Sequence, residues 1–329
     1  MEMNIRLKEL WRIEHEIQFR QVHAAGNGEF VLAGGIDIPS MPQAKQSCCM
    51  AKLDSATQDF RWITNLNSIK QFDYSCVTQS EAIGCIPAKF KSDFAGVMRF
   101  DLFSGKLNLN AVSIEGIKGL ASFGEESFAY GWICNGNSKL SIQSPNGVRN
   151  CELSLNPQVK LTGLYAASKD SLITTMQRVY VEGKNGAIEF LHQLRSLDCD
   201  TIWEYKSLAE SVVNGSEGEL LIYSDAGELS SSEIEVVNVR SGERTNTIRI
   251  STSIACLTPI GESHLLFCNP SYELCLFDRR EQRVVQKVGF PKKIPGWLCV
   301  AVDIECRLLL ACKADNFLSP RSTIVACSF

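Results

Sequence analysis

Residues 100–109, FDLFSGKLNL, read as the end of a strand, a tight turn and the start of another strand. Gly105 stands where a tight hairpin needs a positive φ, which costs glycine nothing. The same grammar recurs as LDSATQ (53–58), IQSPNG (142–147), LRSLDC (194–199), VNVRSG (237–242) and FDRREQ (277–282). The second residues of the six blocks are Asp54, Asp101, Gln143, Arg195, Asn238 and Asp278, at successive intervals of 47, 42, 52, 43 and 40 residues. Eight residues after this anchor a strand is running again, with Trp62 and Trp203 at that offset. Trp11 fits the same place in a unit whose anchor falls near residue 3.

The residues upstream of the anchors repeat as well. HAAGNGEFVLAGG (23–35), GLASFGEESFAYGW (119–132), SVVNGSEGELLIYS (211–224) and CLTPIGESHLLFCN (256–269) each place a Gly/Glu-containing turn between two β-rich runs. One unit is therefore strand, turn, strand, variable loop, strand, anchor turn, strand. A period of roughly 40–50 residues built this way is a four-stranded propeller blade. The C-terminal stretch 295–329 supplies three strands without a final hairpin, and residues 1–14 supply an outer strand without a preceding blade. Joined, they complete a seventh blade and remove the open edge at the ring closure. The expectation is an all-β, seven-bladed propeller of four-stranded antiparallel blades, spanning residues 1–329 as one domain. Two β-sandwiches would also show many short strands, but they do not predict recurring anchors or complementary ends.

Hydrophobic content of 45% and charged content of 21% describe a globular chain. A net charge of −4 argues against general nucleic-acid binding, which needs a strongly basic face. The N-terminal residues MEMNIRLKELWRIEHE are charged throughout, and runs such as GWLCVAV are far shorter than the roughly 20 residues of a membrane span. These features predict a cytoplasmic protein with no membrane insertion. The fourteen cysteines fall mostly in apolar runs, such as Leu266-Phe267-Cys268, where reduced thiols serve as small core residues.

The D-x-x-[ST]-G turn followed by tryptophan resembles the blades of pyrroloquinoline-quinone-type propellers. FDRREQRVVQKV (277–288) and VVNVRSGERTNTI (236–248) resemble the last hairpin of WD40-like blades. The likeness is degenerate, since no blade ends in Trp-Asp or opens on Gly-His. It implies a disc with a central channel and no single activity, because this fold hosts many. Quinone-dependent propeller enzymes use adjacent cysteines, and Cys48-Cys49 is such a pair, but CMAKL (49–53) reads as a plain strand leading into its hairpin. His15, His23, His192 and His264 lack metal-site spacing, and a histidine in a turn such as His264 reads as a surface donor. Ser216 lies in a hairpin turn rather than a nucleophile elbow. No cofactor or metal is expected.

Loops entering each blade and loops following each second strand share one face. They include GIDIPSMPQAKQS (35–47), IPAKFKSD (86–93), NPSYE (269–273), FPKKIPG (290–296) and KADNFLSPRS (313–322). Several combine aromatic and basic residues: Lys89, Phe90 and Lys91; Tyr272; Phe290, Lys292 and Lys293; Phe317 and Arg321. Such side chains anchor protein interfaces, and their charge suits an acidic or phosphorylated segment. The expected function is a non-enzymatic interaction module: a scaffold, a regulatory subunit or a toxin-neutralising protein. The alternative is an enzyme acting on a sugar or small molecule at the channel mouth, with carboxylates drawn from Asp37, Asp73, Asp225, Asp303 and Asp315. The fourth unit holds a longer stretch, residues 174–194, that suits an extra hairpin or a partner-contacting loop.

Overall fold

The computed structural model describes residues 5–36, 47–66, 72–86, 96–113, 116–154, 158–182, 185–215, 218–224, 231–269, 271, 273–290, 296–315 and 321–329. Its strands form seven four-stranded antiparallel sheets, each in sequential strand order apart from the shared one. Blade 1 spans residues 18–66, blade 2 74–113, blade 3 117–154, blade 4 159–207, blade 5 211–250 and blade 6 256–289. Blade 7 takes three strands from residues 296–328 and its outer strand from Lys8–His15.

The sheets close into a ring because every blade buries both faces against its neighbours. Apolar clusters fill the seams 1/2, 2/3, 3/4, 4/5, 5/6, 6/7 and 7/1 in turn. A middle strand is therefore buried along most of its length and mostly apolar. His264–Cys268 (HLLFC) is buried throughout, with Leu265 and Phe267 facing blade 5 and Leu266 and Cys268 facing blade 7. The outer strand Asp59–Leu66 instead alternates half-buried and exposed residues, as an edge with one face free of a neighbour should.

Ring closure follows the sequence expectation. Lys8 pairs with Ser328 and His15 with Ser322, so the outer strand runs antiparallel along the C-terminal strand. Ile5 and Leu7 enter the 6/7 cluster beside Phe329 and Val325. The side-chain amide of Gln286 grips the backbone of Leu7 from both sides: Leu7 N donates to Oε1 at 2.7 Å, and Nε2 donates to Leu7 O at 2.6 Å. At the 7/1 seam, Asp303 accepts from Gly28 N at 2.9 Å and from Cys306 N at 3.0 Å.

The anchors and tryptophans form one recurrent device. Asp54, Asp101, Asn238 and Asp278 each turn a side-chain oxygen onto backbone N–H groups of their own hairpin. The tryptophan eight residues past an anchor then reaches the hairpin of the following blade. Trp11 Nε1 donates to Ser55 O at 2.8 Å, Trp62 Nε1 to Leu102 O at 3.1 Å, and Trp203 Nε1 to Val239 O at 2.7 Å. Each acceptor is the residue directly after an anchor. The rings of Trp62 and Trp203 lie on Gly105 and Gly242, four residues past those anchors, where φ is +69° and +71°. A Cβ there would come within 2.6 and 2.7 Å of the indoles, so both the backbone and the contact demand glycine.

Three sequence expectations need correction. Cys151 and Cys199 are bonded, with Cα atoms 6.6 Å apart, while the other twelve cysteines are free. Cys199 lies in a turn and Cys151 on an outer strand, so neither is a core residue of an apolar run. His264 is buried rather than a surface donor, with Nδ1 2.9 Å from Ser263 Oγ. Finally, among the described residues of 174–194 there is neither an extra hairpin nor a separate loop. The two middle strands of blade 4, Ser171–Glu182 and Asn185–Ser196, are simply longer.

Candidate binding face

In this strand order, the turns joining first to second and third to fourth strands emerge on one face of the ring. The loops joining second to third strands, and one blade to the next, emerge on the other. That loop face is the candidate interface. Lys89, Phe90, Lys91, Tyr272, Lys292, Lys293 and Phe317 lie outside the described residues. Arg321 is exposed just before the C-terminal strand, 3.9 Å from the Glu14 carboxylate. Phe290 is a correction: its ring is buried in the 6/7 seam with Ile5, Leu7 and Phe329 and offers no aromatic surface to a partner. It was readable as a loop residue only because the segment that covers it lies at the far end of the chain.

The most prominent described feature of this face comes from blade 4. Its two long middle strands pair from Ser171↔Ser196 to Glu182↔Asn185. The inner strand reaches only as far as Arg178, and the outer strand only as far as Phe190. From the pair Val179↔Ile188 onward the two strands project as a ribbon that no described strand flanks on either side. Val179 and Ile188 are directly opposite each other and are 44% and 48% exposed. An exposed cross-strand apolar pair on a projecting arm is a surface that gains by being covered. The sequence does not mark this lengthening, because a longer strand pair shows no new turn signal before Lys184-Asn185-Gly186.

At the channel, Tyr74 opens the inner strand of blade 2 and Tyr165 lies on the inner strand of blade 4. Burial raises the pKa of both phenols, and the Glu210 carboxylate adds to the rise in each. Both therefore stay neutral donors near pH 7. The described acidic candidates are divided between the two faces of the ring. Asp73 precedes an inner strand and so stands at the loop face, whereas Asp303 ends an inner strand at the turn face and caps the 7/1 seam. Asp37 and Asp225 lie outside the described residues. Asp315 ends the second strand of blade 7, on the loop side.

The histidines are held apart by structural roles. His23 contacts Ser75 Oγ at 2.7 Å across the 1/2 seam, and His15 packs against the Phe19 and Phe60 rings. His192, fully buried, spans the 4/5 seam: Nε2 is 2.9 Å from Ala209 O and Nδ1 3.0 Å from Thr175 Oγ1. A carbonyl only accepts, so Nε2 carries the proton and Nδ1 accepts from the Thr175 hydroxyl. Burial lowers the His192 pKa to about 4. The unfolded chain thus takes up a proton near pH 6.5 that the folded chain refuses until pH is much lower, so acid favours unfolding. This one group should remove about 2 kcal/mol of stability between pH 7.5 and pH 5. Urea unfolding at the two pH values checks it: burial lowers His23 to about 4 as well, so His192→Asn should remove about half of the dependence the two histidines set, and an unchanged slope would contradict the assignment.

Cys48 and Cys49 follow the plain-strand reading. Cys48 faces the 1/2 seam and Cys49 the 7/1 seam, and burial pushes both thiols up to about 12. Ser216 lies outside the described residues. Among the described residues no group of three or more His, Cys, Asp or Glu is placed to hold a metal ion. Among them, too, no helix is long and apolar enough to cross a membrane.

No family model matches the chain, and no curated protein matches it. Its fold, by contrast, is shared by 1075 solved chains, too many to point to one activity. One is the β-propeller domain of Cps50 (Swd1) from Myceliophteria thermophila, with a TM-score of 0.68 and 14% sequence identity. The match covers 97% of this chain and 99% of that one, so the likeness is one of the entire fold.

Proposed function

We propose that the protein is a cytoplasmic, non-catalytic interaction module that grips another protein with its loop face. The observation that carries this reading is the blade 4 ribbon, whose exposed Val179–Ile188 pair stands clear of the ring on that face. The basic residues that the sequence assigns to the loops, Lys89, Lys91, Lys292, Lys293 and Arg321, would engage an acidic or phosphorylated segment of the partner. One carboxylate that sequence reading offered to an enzyme, Asp303, and two of the histidines weighed for a metal site support the same view. Asp303, His192 and His23 are engaged in blade seams. The turn-and-tryptophan unit, which resembles that of quinone-type propellers, serves the seams as well.

Affinity capture from native lysate tests the charge component. The double variant Lys292→Glu, Lys293→Glu should lose a partner that the wild type retains in stoichiometric amount, with the melting temperature unchanged. Retention of the same partner by both forms would remove these lysines from the interface.

A further inference from the structure

We propose that Cys151 and Cys199 form a redox-operated lock that takes the place of the tryptophan dock at the 3/4 seam. Cys151 lies eight residues past its anchor Gln143, the offset that Trp62 and Trp203 occupy in their blades. Cys199 lies four residues past the next anchor, Arg195, the offset of Gly105 and Gly242 beneath the indoles. Its φ of +70° matches their +69° and +71°. Sequence offset, backbone conformation and cross-seam contact all agree, so the disulfide replaces the indole–glycine contact position for position.

Two further features make the lock selective. Both cysteines are half-buried at the rim and within reach of a small thiol, whereas most of the other cysteines are buried. Burial pushes the thiols of Cys48, Cys49, Cys275 and Cys327 up to about 12, which removes the reactive thiolate. The remaining polar contacts of Arg149 across the 3/4 rim are exposed ones, to Leu197 O at 3.2 Å and to the Asp198 carboxylate, and add little. Without the bond, two separate thiols replace what an indole fills elsewhere.

Closure is a thiol–disulfide exchange with a small disulfide such as oxidised glutathione. One thiolate attacks the disulfide and releases a first glutathione thiol. The second thiolate then displaces the other glutathione, so two protein thiols lose two electrons and two protons, and one glutathione disulfide becomes two thiols. Reduction is the reverse, and a reducing compartment would hold the lock open.

The test compares native protein equilibrated with oxidised or reduced glutathione, by peptide mapping and by hydrogen exchange at residues 149–153 and 196–200. The oxidised protein should yield the 151–199 linked peptide, with exchange there slower by about tenfold or more. Cys151→Ser, Cys199→Ser should exchange like the reduced wild type under both conditions. Cys151→Trp, Cys199→Gly should regain slow exchange and ignore the redox state. Absence of the linked peptide, equal exchange in both redox states, or a serine variant as protected as the oxidised protein would each overturn the proposal.

Discussion

Deletion of residues 1–15 should abolish the cooperative fold. The deletion removes the outer strand of blade 7 together with Ile5 and Leu7 from the 6/7 cluster and Trp11 and Ile13 from the 7/1 cluster. Each such apolar side chain contributes about 1.5–3 kcal/mol, and the paired Gln286–Leu7 hydrogen bonds about 1 kcal/mol each. The total is on the order of 8 kcal/mol, comparable to the whole margin of about 5–15 kcal/mol that holds a protein folded. The strand Ser322–Ser328 would also become an unpaired edge open to aggregation. Size-exclusion chromatography and thermal unfolding should show aggregates without a sharp transition. A circular permutant starting at residue 16, with residues 1–15 joined after Phe329, should fold, because Lys8 already pairs with Ser328 and the joint becomes an ordinary hairpin. A monomeric truncation melting within a few degrees of wild type would contradict the account of ring closure.

Trp203→Ala should destabilise the protein by about 3–5 kcal/mol, the usual cost of emptying a large aromatic site. The indole packs in the 4/5 cluster, donates to Val239 O and covers Gly242. Trp203→Phe keeps a ring but drops the hydrogen bond, and should cost less. Gly242→Ala attacks the same contact from the other side, through both the φ of +71° and the 2.7 Å approach to the ring. Partner binding should survive in all three variants at temperatures where they remain folded. A Trp203→Ala protein of wild-type stability that no longer binds would move this residue from the seam to the interface.

What the sequence made legible was whatever repeats locally. An anchor, its turn and a tryptophan at a fixed offset lie within nine residues of one another, so the hairpins, the blade count and the shared blade could be read before any contact was known. What it hid depends on contacts between distant residues. Phe290 sits beside Lys292 and Lys293 and reads as part of their loop, yet it is covered by Ile5 and Leu7. Cys151 and Cys199 could have been matched by the same offsets as the tryptophans, but among fourteen cysteines the apolar runs dominate the pattern. The ribbon of blade 4 escaped because its length is set by which flanking strands stop early, a property of neighbours rather than of residues 171–196 themselves. Of the candidate site, the face was predictable from strand order, whereas its described landmark was not.

The decisive measurement is a titration of the captured partner against two variants, one on each face of the ring. Val179→Asp, Ile188→Asp charges the projecting ribbon, and Phe103→Asp charges a turn residue that is 90% exposed on the opposite face. Both sites are exposed, so neither variant should alter the fold. The account predicts that the ribbon variant weakens binding at least about tenfold, or 1.4 kcal/mol, while Phe103→Asp binds as wild type. Loss of affinity in Phe103→Asp with the ribbon variant unaffected would place the partner on the turn face and contradict it.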